Sequence, residues 1–155
     1  MIREIEGADR ELFLKMTKAF YTSDAVMHDI PDAYREATWA ELMRSRDYAE
    51  GYIFEQDSKP VGYALLAKTF SQEAGGQVIW VEELYVLPEY RSKGLGREFF
   101  AFLKERKNIS RVRLEVEPEN ERAVKLYEKM GFEVLPYMQM IIEQGISSDN
   151  ADINA

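Results

Sequence analysis

The sequence predicts an α/β domain, and three observations predict it. Short runs rich in β-branched and aromatic residues alternate with stretches whose apolar residues recur at helical spacing. Polar turns, several carrying glycine or proline, separate them. The most regular stretch, 78–106, passes from a strand through two glycines into a helix. At 155 residues the chain can bury one core of ordinary size and needs no second domain.

The elements follow in order. Residues 2–5 are a first strand. Asp9 can cap a helix reaching Tyr21, with Leu12, Phe13, Met16, Ala19 and Phe20 on one stripe. The break His28-Asp29-Ile30-Pro31 precedes a second helix over 32–44. Residues 52–54 and 61–67 are strands joined by the polar turn 56–60. The segment 71–77, with Gly75-Gly76, is another turn. The strand 78–86 stops at Leu87-Pro88-Glu89-Tyr90, and a helix follows over 97–106 with Phe99, Phe100 and Leu103 toward a core. Residues 112–116 are a strand. Asn120 is a good N-cap and Gly131 a good stop for a helix whose Ala123, Leu126, Tyr127 and Met130 share one face. A late strand is expected at 137–142. Residues 145–155 are small, polar and acidic without periodicity, and read as a mobile tail beyond a single domain over 1–144.

Composition narrows the function classes. The formal net charge is −8, from 20 Lys and Arg against 28 Asp and Glu. That sign argues against nucleic acid and against an anionic membrane surface as partners, and is compatible with a cationic substrate. With no cysteine there is no disulfide, thiolate metal site or cysteine nucleophile. His28 is the single histidine, which excludes a multi-histidine metal site; no metal is expected. The charged N-terminus is no signal peptide and no apolar run has the length of a membrane span, so the expected location is cytoplasmic.

The chemistry centres on Arg91-Ser92-Lys93-Gly94-Leu95-Gly96. Two glycines let backbone N–H groups turn into one concavity, and the following helix adds partial positive charge at its N-terminus. Arg91, Lys93 and Arg97 add full charges, which makes a seat for a pyrophosphate. The segment is no Walker loop, and Phe99 stands where a dinucleotide fingerprint needs its third glycine. A basic residue followed by x-x-G-x-G after a strand resembles the pyrophosphate loop of the GNAT superfamily of acyl-CoA N-acyltransferases. A second segment strengthens the resemblance. Asn120, Ala123, Leu126, Tyr127, Gly131 and Phe132 match the family's N-x-x-A-x-x-L-Y-x-x-x-G-F pattern, at the family's distance from the loop.

The resemblance spans 1–142, with its specific motifs in 78–132. It implies the GNAT fold: a mixed, mostly antiparallel sheet of six to seven strands with helices on both faces, and acyl-CoA in the splay between central strands. It implies acetyl-CoA as co-substrate, held by Arg91, Ser92, Lys93, Gly94, Leu95, Gly96, Arg97 and Asn120. It implies backbone oxyanion donors at Leu84, Tyr85 and Val86, and Tyr127 as the acid that protonates the leaving thiolate. A phenol suits that step because it stays protonated at neutral pH and can still donate. Core packing is the competing role for this tyrosine.

Glu82 and Glu83 interrupt an otherwise apolar strand, where carboxylates are costly unless paired or wet. Regular alternation sends them to opposite faces, so one at most reaches the acceptor. Resemblance to the polyamine-acetylating branch favours Glu82, nine residues before Arg91, as the group that takes the amine proton. Two readings of the pair stay open: a direct or water-mediated role for one member, or a structural pair. His28 reads as a solvated loop residue. Phe20, Tyr21, Tyr34, Trp39, Tyr137, Met138 and Met140 read as core or as an acceptor-pocket wall. Together these imply an N-acetyltransferase acting on a primary amine of a small molecule, such as a polyamine or other cation, by direct attack. Protein lysine or N-terminal acetylation, or a non-catalytic acyl-CoA sensor on the same fold, are the alternatives. A homodimer is a family-level expectation.

Overall fold

The computed structural model describes residues 1–144; the tail read at 145–155 lies outside the described residues. The order is β1 (Ile2–Glu4), α1 (Arg10–Tyr21), α2 (Asp32–Arg44), β2 (Ala49–Gln56), β3 (Lys59–Ser71), β4 (Gly76–Val86), α3 (Leu95–Lys104), β5 (Ile109–Leu114) and α4 (Glu121–Lys129). The strands lie side by side in sequence order. β1 to β4 pair antiparallel, and β5 joins β4 in parallel after the crossover through α3.

The sheet has five strands among the described residues, against the six to seven expected. The missing strand is 137–142, which joins no ladder and leaves Met138, Met140, Ile141 and Ile142 exposed. β-propensity is realised only against a partner edge. Here Pro136 lacks a donor, and Tyr137 is tethered through its hydroxyl to Glu73 at 3.2 Å instead. At the other end Asp9 stands at the α1 N-cap without capping it. Its carboxylate is taken by Arg3 at 2.8 and 2.9 Å and by the Glu6 N–H at 2.8 Å.

Helices cover both faces because the strands alternate. Ile53, Tyr63 and Tyr85 point to one face, under Phe13, Met16 and Phe20 of α1 and Trp39 and Leu42 of α2. Tyr52, Phe54, Ala64 and Leu66 point to the other, under Phe99, Phe100 and Leu103 of α3. Each such aromatic or aliphatic side chain contributes roughly 1.5–3 kcal/mol on burial.

One break in that alternation shapes the site. Leu65 pairs with Glu83 and Leu66 with Val81, so Glu82 is an extra residue, a β-bulge. Below the bulge the odd-numbered Ile79 and Val81 face α3; above it the odd-numbered Tyr85 faces α1. A second irregularity lies at the same level. β5 pairs with β4 only as far as Val81 opposite Leu114, while β4 continues to Val86 beside β3. The two central strands therefore part just where the bulge sits.

Candidate active site

The glycine loop takes the shape its sequence requires. Gly94 caps α3 in the left-handed region, with φ of 87°. Gly96 lies in the first helical turn, where a Cβ would come within 3.3 Å of Leu126 and 3.9 Å of Leu84. Gly94 is thus demanded by backbone conformation and Gly96 by close packing against β4 and α4. Arg91 donates from Nε to the Val86 carbonyl at 2.8 Å and rests 5.8 Å from the Tyr85 ring centroid. Lys93 swings over the Tyr90 ring, 4.8 Å from its centroid, and does not line the cleft. Arg122 of α4 reaches back to donate to Ser92 Oγ, tying α4 to the loop. Asn120 caps α4, accepting from the Ala123 N–H at 3.3 Å.

A cleft of about 1210 Å³ opens where β4 and β5 part. Leu84, Tyr85 and Val86 form one wall, and Ser92, Gly94, Leu95, Gly96 and Arg97 another. Leu114 to Glu117 and the first turns of α4 close the far side. Tyr127 lines the cleft too. Its ring packs edge-on to Phe100 at 5.7 Å and Phe132 at 5.8 Å, which fixes its direction. Burial raises its pKa, so the phenol holds its proton firmly at neutral pH.

The bulge changes what the two glutamates can do. Glu82 lines the large cleft and also a second cavity of about 190 Å³, walled by Phe13, Thr17, Tyr21, Ile30, Arg35 and Leu65. Glu83 lines only the second. Opposite faces were expected for the pair; the inserted residue brings both carboxylates to one cavity instead. Glu82 is solvent-accessible but sits in a concave floor. Loss of water there, then the charges of Glu115 and Glu83, raise its pKa. Glu83 is buried, 7% exposed, and accepts a 2.6 Å hydrogen bond from the Tyr63 hydroxyl. Burial raises its pKa; the Tyr63 and Tyr21 phenols and the charge of Arg35 pull the other way without reversing it. Arg35 is itself committed, to Asp29 at 3.0 Å, Asp32 at 2.8 Å and the Ile30 carbonyl at 3.0 Å.

Among the other residues singled out, Phe20 lines the large cleft and Tyr21 the small cavity. Trp39 is core, its ring tilted 42° against Phe13 at 5.7 Å, while Tyr34 and His28 are exposed. Tyr63, Arg35 and Arg122 carried no motif and were not anticipated. A basic residue two positions after the α4 cap was the one available signal, for Arg122. Among the described residues no helix is long and apolar enough to cross a membrane, and no cluster of three or more potential metal ligands occurs.

Comparison with known proteins bears on the whole arrangement. A thialysine N-epsilon-acetyltransferase of Mus musculus is 36% identical over 146 residues, covering 84% of this chain and 82% of the relative. A protein of Clostridium difficile 630 described as a possible acetyltransferase has the same fold, with a TM-score of 0.78, 23% identity and coverage of 92% of this chain and 96% of that one. The aminoglycoside N-acetyltransferase AAC(6')-Iy, solved with a CoA-S-monomethyl-acetylneamine bisubstrate analogue, superposes with a TM-score of 0.74 at 19% identity, over 94% and 98% of the two chains. The family model described as acetyltransferase (GNAT) family matches residues 13–132, which hold most of α1, the bulge, the glycine loop and Tyr127. The chain belongs to the GNAT family of acetyltransferases.

Proposed function

We propose that this enzyme transfers the acetyl group of acetyl-CoA to a primary amine of a small, cationic molecule, by direct attack with both substrates bound. The observation that carries the reading is that one cleft is lined at once by the glycine loop, by Tyr127 and by Glu82, and that Glu82 also borders the smaller cavity. The left-handed Gly94 and the close-packed Gly96 leave backbone N–H groups at the α3 N-terminus free to approach a pyrophosphate, with Arg97 beside them. Beyond Val81 the edge of β4 that no longer pairs with β5 fits a donor role for Leu84 to Val86 toward a developing oxyanion. Glu82, at the junction, takes the amine proton directly or through water. Tyr127 supplies a proton to the departing thiolate. No cysteine exists to carry an acyl group, which supports direct attack.

A cavity of about 190 Å³ suits a small amine better than a folded protein surface, and the two carboxylates that line it, Glu82 and Glu83, suit a cation. The thialysine-acetylating relative supports an aliphatic amine acceptor. Residues 1–144 act as one unit in this reading, in the cytoplasm, as a homodimer. Thiol release from acetyl-CoA, measured across alkylamines, diamines, amino acids, aminoglycosides and peptides, tests it. Turnover with small amines is expected. Turnover with peptides alone, or with none of the panel, would overturn it. Gly94→Val and Gly96→Val should each abolish CoA binding by calorimetry, since a β-branched side chain disfavours φ above zero at one site and at the other crowds Leu126 and blocks backbone approach to the pyrophosphate.

A further inference from the structure

We propose that Glu83, held by the phenol of Tyr63 and sharing its cavity with that of Tyr21, is a seat for a second positive charge on the acceptor, set one step deeper than the nitrogen that reacts. This rests on the acetyl-transfer reading above. The placement comes from which cavity each group lines. Glu82 borders both cavities, so it stands where the acyl donor and the acceptor meet. Glu83 borders the smaller one alone, and a group beside it lies past Glu82 as seen from the large cleft.

The second observation is that Glu83 is buried without a cation of its own. Its bonded partner is the Tyr63 hydroxyl at 2.6 Å, and Tyr21 adds a further phenol. Arg35, the positive charge that faces it, is already bound to Asp29 and Asp32. Two phenols can orient a carboxylate but cannot neutralise it. A buried carboxylate so placed gains most from a cation that arrives with a ligand. Tyr63 and Tyr21 are positioning residues here: they fix Glu83 and favour its ionised form. Phe13, Ile30 and Leu65 supply the apolar wall for the methylenes between the two nitrogens.

The seat selects aliphatic amines that carry a second ammonium over otherwise equal monoamines. Binding of α,ω-diamines of three to six carbons and of the matched monoalkylamines is measured by calorimetry on the CoA-loaded protein, with thiol release from acetyl-CoA followed in parallel. The best diamine should bind at least about tenfold tighter than its monoamine, as expected for a charge-assisted bond in a site of low water content. Glu83→Gln, which keeps an oxygen to accept from Tyr63, should bring that ratio close to one. Tyr63→Phe should raise the diamine KM more than it lowers kcat. It should also shift the acidic limb of 1/KM to higher pH, because Glu83 loses a donor that favours ionisation. The flanking Tyr21, Arg35 and Glu82 are untouched in both variants. Equal binding of diamines and monoamines by the wild-type protein, or an undiminished ratio in Glu83→Gln, would overturn the seat. Tighter diamine binding with no thiol release would leave the seat standing and sink the transfer reading.

Discussion

Glu50 and Glu83 are both buried carboxylates on one sheet, 4% and 7% exposed, and the protein treats them in opposite ways. Glu50 lies on the α3 side and is surrounded by cations: Arg106 at 2.7 Å, Lys68 at 3.0 Å and Arg46 at 3.2 Å, with the Tyr52 hydroxyl at 2.8 Å. Burial alone would raise its pKa, but these partners overturn that and hold it at about 2. Glu83 lies on the α1 side with phenols for company, and its pKa is raised. The first carboxylate is complete within the fold and ties β2, β3 and the turn after α3 together. The second is left incomplete beside a cavity. Unbalanced charge, more than burial, separates a structural acid from a functional one.

The largest effect should come from the closed side. Glu50→Ala leaves Lys68 and Arg106, both largely buried, without their carboxylate and should cost about 3–5 kcal/mol of stability, read by urea unfolding, with kcat unchanged. A loss in kcat without a loss in stability would erase the contrast. On the open side Tyr127→Phe should lower kcat roughly tenfold to a thousandfold with Tm and CoA affinity nearly unchanged, because general acid catalysis contributes on that scale. An unchanged kcat, with chemistry limiting turnover, would make Tyr127 a packing residue.

Smaller, but opposite in sign, are the pH dependences of stability. The folded pKa of Glu50 is depressed below its ordinary 4.5, so its contribution is full above that value and fades as pH falls toward 2. The folded pKa of Glu83 is raised, so its protonated form favours folding and stability is lost as pH climbs from 4.5 through the folded value. Glu83→Gln should therefore leave Tm unchanged at low pH and unchanged or higher at neutral pH. A lower Tm at neutral pH would mean that Glu83 is structural after all. Thermal melts at a series of pH values check this.

The sequence made much of this legible. Helical stripes such as Phe13, Met16 and Phe20 located α1, and the glycine loop with the Asn120 to Phe132 pattern located the cleft. Those signals are local and survive in one dimension. The bulge did not, because every position from Val78 to Val81 and from Leu84 to Val86 is apolar, so either parity reads as a buried strand. The partner register that reveals it belongs to β3. Tyr63 was invisible for the same reason: it is one more aromatic in an apolar strand until its hydroxyl meets Glu83 across the ladder. The strand expected at 137–142 was misread because apolar β-formers alone do not supply an edge to pair with.

The division of labour between the two open-side carboxylates has one most direct measurement: the pH dependence of kcat at saturating acceptor for Glu82→Gln beside Glu83→Gln. Glu82→Gln should lower kcat and shift its acidic limb upward, toward the pKa of the bound amine itself, since the variant would depend on the fraction of bound acceptor that has lost its proton without help. Glu83→Gln should leave that limb where it is. A limb that moves in Glu83→Gln and not in Glu82→Gln, or in neither, would contradict the assignment of Glu82 as the group that takes the proton.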